Sequence, residues 1–412
     1  MHAEDTAARY RWLIVTAGIC GLFASLGIGR FALGMLLPAM GQALDLSYAE
    51  MGGIGTVNFC GYLLAVLFCG KLSRRFSPRL LISSALLLVG LSMISIGFVE
   101  QFSLITLFYF LTGVGSALSN VPIMALISIW FPPTSRGRAT GLVVIGNGLG
   151  IITSGYLVPK LNSGGYGWQV SWITLGSLVC CLAAVCLLLI RNKPSDLKAA
   201  PLSRASALSK EPVIAPHGLS EKRFEPIFAH CAAIYFLFGF TYVIYATFFV
   251  TSLVQERGFT EQQAGLLWSW VGFLSLVSGP LFGFLSDRFG RKAGLVTVFS
   301  IQAAAYTMAL SALPQQFLYA SIFCYGIVAW SVPTIMAALV GDTAGPQRAA
   351  AVFGFVTFVF GIGQVAGPFC AGVLAEMTGG FALSFLLATL LAVSAAALSF
   401  MLPGPERSEK RL

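Results

Sequence analysis

Gly283-Phe284-Leu285-Ser286-Asp287-Arg288-Phe289-Gly290-Arg291-Lys292 is a short polar stretch between two long apolar blocks. A degenerate copy, Gly70-Lys71-Leu72-Ser73-Arg74-Arg75-Phe76, stands 213 residues earlier. Further matches follow in chain order. Gly115 and Val121-Pro122 correspond to Gly326 and Val332-Pro333 at an offset of 211, and Gly148-Leu149-Gly150 to Gly361-Ile362-Gly363 at 213. Nearly equal offsets in the same order imply a duplicated chain.

The chain between the copies is too apolar for a water-facing surface. Of 412 residues, 57% are hydrophobic and 10% charged, with a mean hydropathy of +0.84; soluble chains carry roughly 25% charged residues. Blocks such as Leu80 to Val99 are long enough to cross a bilayer. The expectation is an all-α polytopic membrane protein with twelve spans: 12–40, 51–70, 79–99, 103–130, 138–159, 169–191, 225–254, 263–284, 293–313, 315–340, 349–374 and 380–402. The polar segment after the sixth span carries Pro194, Pro201, Pro212 and Pro216 and reads as a linker. Residues 1–191 and 225–412 are then two pseudo-symmetric six-helix bundles joined by 192–224. An even number of spans in each inserts both copies the same way up, so a site between them lies near the midplane.

Loop Lys and Arg fall 22 to 2 on the side of the N-terminus. By the positive-inside rule both termini are cytoplasmic, and a bacterial inner membrane is the expected location. This placement accounts for the net charge of +9 without nucleic acid. The nine cysteines lie in apolar blocks without metal spacing and read as small apolar residues. The first apolar run is too long for a cleavable signal.

The stretch 283–292 resembles the cytoplasmic loop signature of the major facilitator superfamily, in near-complete form. The earlier copy departs from it, with Arg74 in place of the usual Asp and Ser77 in place of Gly. Phe131-Pro132-Pro133 before Arg136-Gly137-Arg138 fits as well. Within the superfamily, Gly27-Ile28-Gly29-Arg30-Phe31 with Leu36-Leu37-Pro38 resembles the YbfB-like permeases, and the glycine-rich eleventh span resembles carboxylate carriers. The resemblance implies alternating access between the two bundles by a chain that works as a monomer. Gly283, Asp287, Arg288, Gly290 and Arg291, with Arg74 and Arg75 in the degenerate copy, would form the gating loops. Asp287 can cap a neighbouring helix or pair with a cation in one state only, which biases the side that is open. Arg74 cannot, so the latch is expected to be one-sided.

Arg30 is the one basic residue inside a span, and all sixteen acids belong to loops or span ends. An Arg near the bilayer centre costs at least about 2.5–3.5 kcal/mol. Two readings are open. Arg30 neutralises an anion brought by the substrate, through a planar fork suited to carboxylate, phosphonate or sulfonate, or it locks helices by bonding backbone carbonyls or reaching Asp45 or Glu50. Companion candidates are Asn58, Tyr62, Asn120, Asn147, Trp268, Trp330 and Gln364. Tyr235, Phe238, Tyr242 and Tyr245 add an aromatic stripe on the seventh span, with Tyr242 near the repeat position of Arg30. A cavity cationic on one side and aromatic on the other suits an anion with an apolar body.

No phosphate-binding loop is present, and the three histidines offer little for catalysis, so neither a primary pump nor an enzyme is expected. No cofactor and no metal are implied. Proton-coupling candidates are restricted to His230 and Glu225 at the end of the seventh span, or to the acid of the substrate itself. The resulting expectation is a secondary transporter for a small organic anion, a monocarboxylate first. Proton-linked symport, exchange and uniport all remain open. An efflux carrier for amphipathic compounds is the alternative; it needs intramembrane acids to meet cations.

Overall fold

The computed structural model describes residues 2–194, 226–310 and 313–403. The 192–224 linker lies almost wholly outside the described residues, as does Glu225. All regular structure in the described residues is helical. The first span is α1 (His2–Leu22), a π-helical segment Phe23–Ile28 and α2 (Leu33–Leu44). It is followed by α3 (Tyr48–Arg75), α4 (Pro78–Ile96), α5 (Phe102–Trp130), α6 (Pro133–Leu161) and α7 (Gly167–Leu189). After the linker come α8 (Pro226–Gln255), α9 (Glu261–Phe289), α10 (Arg291–Met308), α11 (Gln316–Val328), α12 (Ser331–Thr378) and α13 (Ala382–Phe400). Gly345, with φ 71°, turns α12 into two spans.

Eleven of the spans are long and apolar enough to cross a membrane. The ninth expected span is present as α10, but it opens on Arg291-Lys292 and carries Gln302, which keeps it outside that set.

Local chemistry repeats at the duplication interval. Ser47 caps α3 and Thr260 caps α9, each in a reciprocal capping box, with Glu50 and Gln263 at the third position. Such a box satisfies two otherwise orphan N–H groups. Both pairs of residues are 213 apart, a correspondence the motif comparison did not use. The turns that follow differ: Gly290 adopts φ 95°, whereas Ser77 has φ −66° and begins α4 with Pro78 at its first position. The Gly-to-Ser departure in the first copy therefore reshapes the loop.

Within each half of the chain, α3 packs on α5 and α4 on α7, and correspondingly α9 on α11 and α10 on α13. Across the halves, α3 meets α12, α6 meets α9 and α2 meets α8. Glycines let these backbones approach, as small residues do where no hydrophobic force draws helices together in lipid. A Cβ on Gly265 would run into the Gly155 carbonyl oxygen, and one on Gly52 into that of Pro368. These approaches lie away from the face that carries the linker. Toward the same opposite face the Tyr48 N–H donates to Glu376 (2.8 Å), the Tyr48 ring meets Phe381 (4.8 Å), and Asn162 donates to Glu261 (2.7 Å). Toward the linker face, Cβ atoms built on Gly70, Gly137, Gly141, Gly341 and Gly354 would meet nothing within 4 Å. Backbone-to-backbone contact at glycines thus closes the seam on the side away from the linker.

Gly265→Ala is expected to lower stability by about 1–3 kcal/mol through overpacking of the seam, whereas Gly341→Ala, at a helical position open on its Cβ side, raises it by up to about 1 kcal/mol. Thermal unfolding of the two variants in detergent measures the difference.

Candidate functional site

The first span is not a continuous α-helix where Arg30 sits. Gly29 N–H donates to Ala24 O (3.0 Å) and Phe31 N–H to Leu26 O (3.1 Å), both five residues back, and regular helix resumes only at Leu33. Such a widened turn is common at functional sites. It is held from outside: the Tyr109 hydroxyl donates to the Arg30 carbonyl (3.0 Å), and Ser116 to that of Ser25 (2.8 Å).

Arg30 is buried, at 8% exposure. Its guanidinium lies over the rings of Phe59 (4.6 Å) and Tyr62 (4.3 Å), both on α3. Cation–π contact offsets part of the cost of burying the charge. No carboxylate of the described residues forms an ion pair with it, and its Nε and Nη2 have no hydrogen-bond partner. Neither Asp45 nor Glu50, the acids of the helix-locking alternative, forms an ion pair with it, and Glu50 is engaged in the α3 capping box. The cavity at Arg30 is also lined by Phe31, Asn58, Phe59, Tyr109 and Thr247 and measures only about 10 Å³, room for roughly one water. The site is closed around the cation.

Several predicted residues gather here. Asn58 donates to the Tyr109 carbonyl (3.0 Å) and Asn120 to the Tyr62 hydroxyl (2.8 Å), and the Oδ1 of each is buried without a partner. From the other half of the chain, Gln364 donates to the Tyr242 hydroxyl, which lies close enough to feel the Arg30 charge. Tyr242 also stacks on Phe238 (4.9 Å) and Phe360 (6.0 Å). Trp330 occupies the break between α11 and α12, where its N–H donates to Ser278 Oγ (3.0 Å). Its ring meets Phe31 at 5.1 Å and Tyr242 at 6.2 Å, so two helix breaks face each other across the halves.

Other candidates sit elsewhere. Tyr245 shares a hydrogen bond with Ser321 (2.9 Å) and stacks on Tyr325 (4.0 Å) among the C-terminal helices. Trp268 is fully buried with an unpartnered Nε1, and Asn147 is buried beside Gly27; none of the three lines the Arg30 cavity. His230 Nε2 is bonded to the Leu398 carbonyl (2.7 Å). It stands twelve residues before Tyr242, about 18 Å along α8. Phe31, Phe59, Tyr109 and Phe360 were not anticipated in the site. For Phe59 the sequence signal was its three-residue spacing from Tyr62, which puts both rings on one helix face.

At the linker face, Arg291 bridges two acids. It pairs with Asp287 and with Asp342 (2.9 Å), and donates to Ser286 Oγ (2.9 Å). Gly283 stands one turn before this cluster on α9, and Gly290 supplies the turn that brings Arg291 back over Asp287. Arg288 lies over Phe289 (5.6 Å). In the degenerate copy, Arg75 lies over Phe76 (5.9 Å), and neither Arg74 nor Arg75 forms an ion pair with a described residue. Asp342, which joins α12 to this loop, is a member that sequence spacing did not indicate.

Outside the membrane on the opposite face, burial pushes the Glu256 carboxyl up, while the Phe381 N–H and the Arg257 charge pull it down. Arg257 itself donates to the carbonyls of Ala309 (3.2 Å) and Leu313 (3.2 Å) beyond α10.

The profile of the family described as the uncharacterised MFS-type transporter YbfB matches residues 22–400. A hexuronate transporter of Bacillus subtilis (strain 168) is 27% identical, over 91% of this chain and 91% of its own. The 4-hydroxybenzoate transporter PcaK of Acinetobacter baylyi is 23% identical, over 95% of this chain and 90% of its own. Among solved structures, a bacterial homolog of the human lysosomal transporter Spinster, in an inward-facing and occupied conformation, superposes with a TM-score of 0.72 at 16% identity. That match covers 95% of this chain and 96% of the other. On the match over residues 22–400, and with helices long and apolar enough to cross a membrane, the chain belongs to the YbfB-type family of major facilitator superfamily transporters, integral membrane proteins and not enzymes.

Proposed function

We propose that the chain is a secondary carrier that moves a small organic anion, a monocarboxylate first, by alternating access. The observation that carries this reading is Arg30: a buried cation with two free N–H donors and no carboxylate partner among the described residues. A charge left bare in a low dielectric costs several kcal/mol, and an arriving carboxylate removes that cost. The hexuronate and 4-hydroxybenzoate that name two relatives are both carboxylates.

In this reading twelve helices form two six-helix units, residues 1–191 and 225–412, with 192–224 as the cytoplasmic linker and both termini inside a bacterial inner membrane. The seam sealed at Gly52 and Gly155 makes this the inward-facing side of the cycle, with the Arg30 cavity closed. A coupled proton would travel on the substrate acid or on His230. The protein works as a monomer.

The Arg291 bridge supplies the one-sided latch. Its acids are more than half exposed, at 64% and 61% for Asp287 and Asp342. Screened pairs of this kind contribute at most about 1 kcal/mol to stability, so their role is to weight one state of the cycle.

Two outcomes follow. In proteoliposomes, Arg30→Lys and Arg30→Ala should abolish carboxylate uptake while the protein stays folded, because losing a buried, hydrogen-bonded charge pair costs about 2–5 kcal/mol. Normal uptake by Arg30→Ala would overturn the anion reading. Running each assay with and without a pH gradient separates proton coupling from exchange. Asp342→Asn should lower the maximal rate several-fold with KM and thermal stability nearly unchanged; a pure KM effect would assign Asp342 to binding instead.

A further inference from the structure

We infer that the carrier selects a planar aromatic carboxylate, its carboxylate on Arg30 and its ring in the slot now filled by the contact between Phe31 and Trp330. This rests on the anion reading above and narrows it.

The first argument is the geometry of the free donors. Nε–H and Nη2–H of a guanidinium run parallel and form its side-on fork, and these are the two unpartnered nitrogens of Arg30. The rings of Phe59 and Tyr62 lie against the guanidinium, leaving that edge for a bidentate carboxylate. A sulfonate or phosphonate can use the same fork, so the fork alone sets charge and not body.

The body is set by what must move. A cavity of about 10 Å³ holds no organic anion, so entry must displace rings that line it, and of these Phe31 packs on a ring of the other half of the chain, Trp330, which stands just outside the lining. Phe31 and Trp330 meet at 5.1 Å with their planes 52° apart, each on a helix break and each from a different half of the chain. Behind Trp330 the wall continues as Tyr242, Phe360, Phe238 and Tyr235, the last stacked on Phe360 at 4.3 Å. A flat π-system sliding between Phe31 and Trp330 replaces one ring contact by two. A saturated ring of equal carbon count is thicker and offers no π-face.

Unsatisfied polar atoms argue against a sugar acid. Around Arg30 the buried atoms without partners are Asn58 Oδ1, Asn120 Oδ1 and Trp330 Nε1. Apart from Thr247, the other polar groups of the wall are already hydrogen-bonded within the protein, the Tyr62 hydroxyl to Asn120, the Tyr109 hydroxyl to the Arg30 carbonyl and the Tyr242 hydroxyl to Gln364, so several hydroxyls of a hexuronate, each needing a donor and an acceptor, would enter unpaired. One ring hydroxyl could be served, by Asn120 or Trp330.

The test is equilibrium binding to the purified full chain, with benzoate, 4-hydroxybenzoate, cyclohexanecarboxylate, glucuronate and acetate as probes. Wild type, Trp330→Leu, Trp330→Phe and Phe31→Leu are compared after a size-exclusion check of folding. At least one aromatic probe should bind roughly fivefold to tenfold tighter than cyclohexanecarboxylate and glucuronate, the size of one to two ring contacts. Trp330→Leu and Phe31→Leu should each erase most of that advantage while leaving cyclohexanecarboxylate within about twofold, and Trp330→Phe should keep it. Equal or tighter binding of cyclohexanecarboxylate or glucuronate overturns the aromatic inference and leaves the anion reading standing. So does a Trp330→Leu or Phe31→Leu variant that weakens every probe alike. Failure of every carboxylate to bind wild type overturns both.

Discussion

A single uncompensated charge organises the centre of this protein. Arg30 is buried where an ion is expensive, and no acid among the described residues pairs with it. What holds it is indirect: two aromatic faces on α3, a widened turn in its own span, and a tyrosine hydroxyl from α5 on its carbonyl. Each of these fixes the position of the guanidinium without using its outer N–H edge. Two nitrogens are left without a partner in a space with room for little more than one water, and on the proposed reading they are pre-set for an anion. Pre-organisation of this kind lets binding energy go into the conformational change instead of ordering the site.

The seam gives the movement its direction. Glycines bring α3 against α12 and α6 against α9 on one side of the site, close enough that a methyl group would collide with backbone. Backbone-to-backbone packing of this kind has two discrete arrangements, formed or parted, and little between. On the other side the Arg291 bridge links Asp287 and Asp342 within the C-terminal helices. In the proposed cycle the end away from the linker opens by parting packed backbone, which depends on surface fit, while the Arg291 bridge weights the linker end through exposed charge, which depends on ionic strength.

Much of this was legible in the residues. Apolar block length gave the helices, the spacing of copies gave the duplication, and the capping boxes at Ser47 and Thr260 repeat at that same interval. Arg30, Asn58, Tyr62, Asn120, Tyr242, Trp330 and Gln364 stood out as polar or amphipathic groups in apolar helices, and the fold brings them together. Phe31, Phe59 and Phe360 did not stand out, because one phenylalanine among 33 carries no mark of facing a cavity instead of lipid. Tyr245 belongs to the same stripe as Tyr242. Three residues along α8, however, it turns to Ser321 and Tyr325. Asp342 escaped notice because its partner, Arg291, is 51 residues away and only the α10 and α12 packing joins them.

The central claim is that Arg30 holds a negative charge and not merely a ring. Ligand-induced thermal stabilisation with a matched pair, benzoate and benzamide, tests it most directly, since the two share size and plane and differ in charge. Binding to the folded state alone stabilises it by RT ln(1 + L/Kd), with L the free ligand concentration, so the unfolding temperature rises with that concentration. Benzoate should stabilise the wild type, benzamide should not, and Arg30→Met should respond to neither. Equal stabilisation by both compounds, or an Arg30→Met protein that still responds to benzoate, would contradict the account.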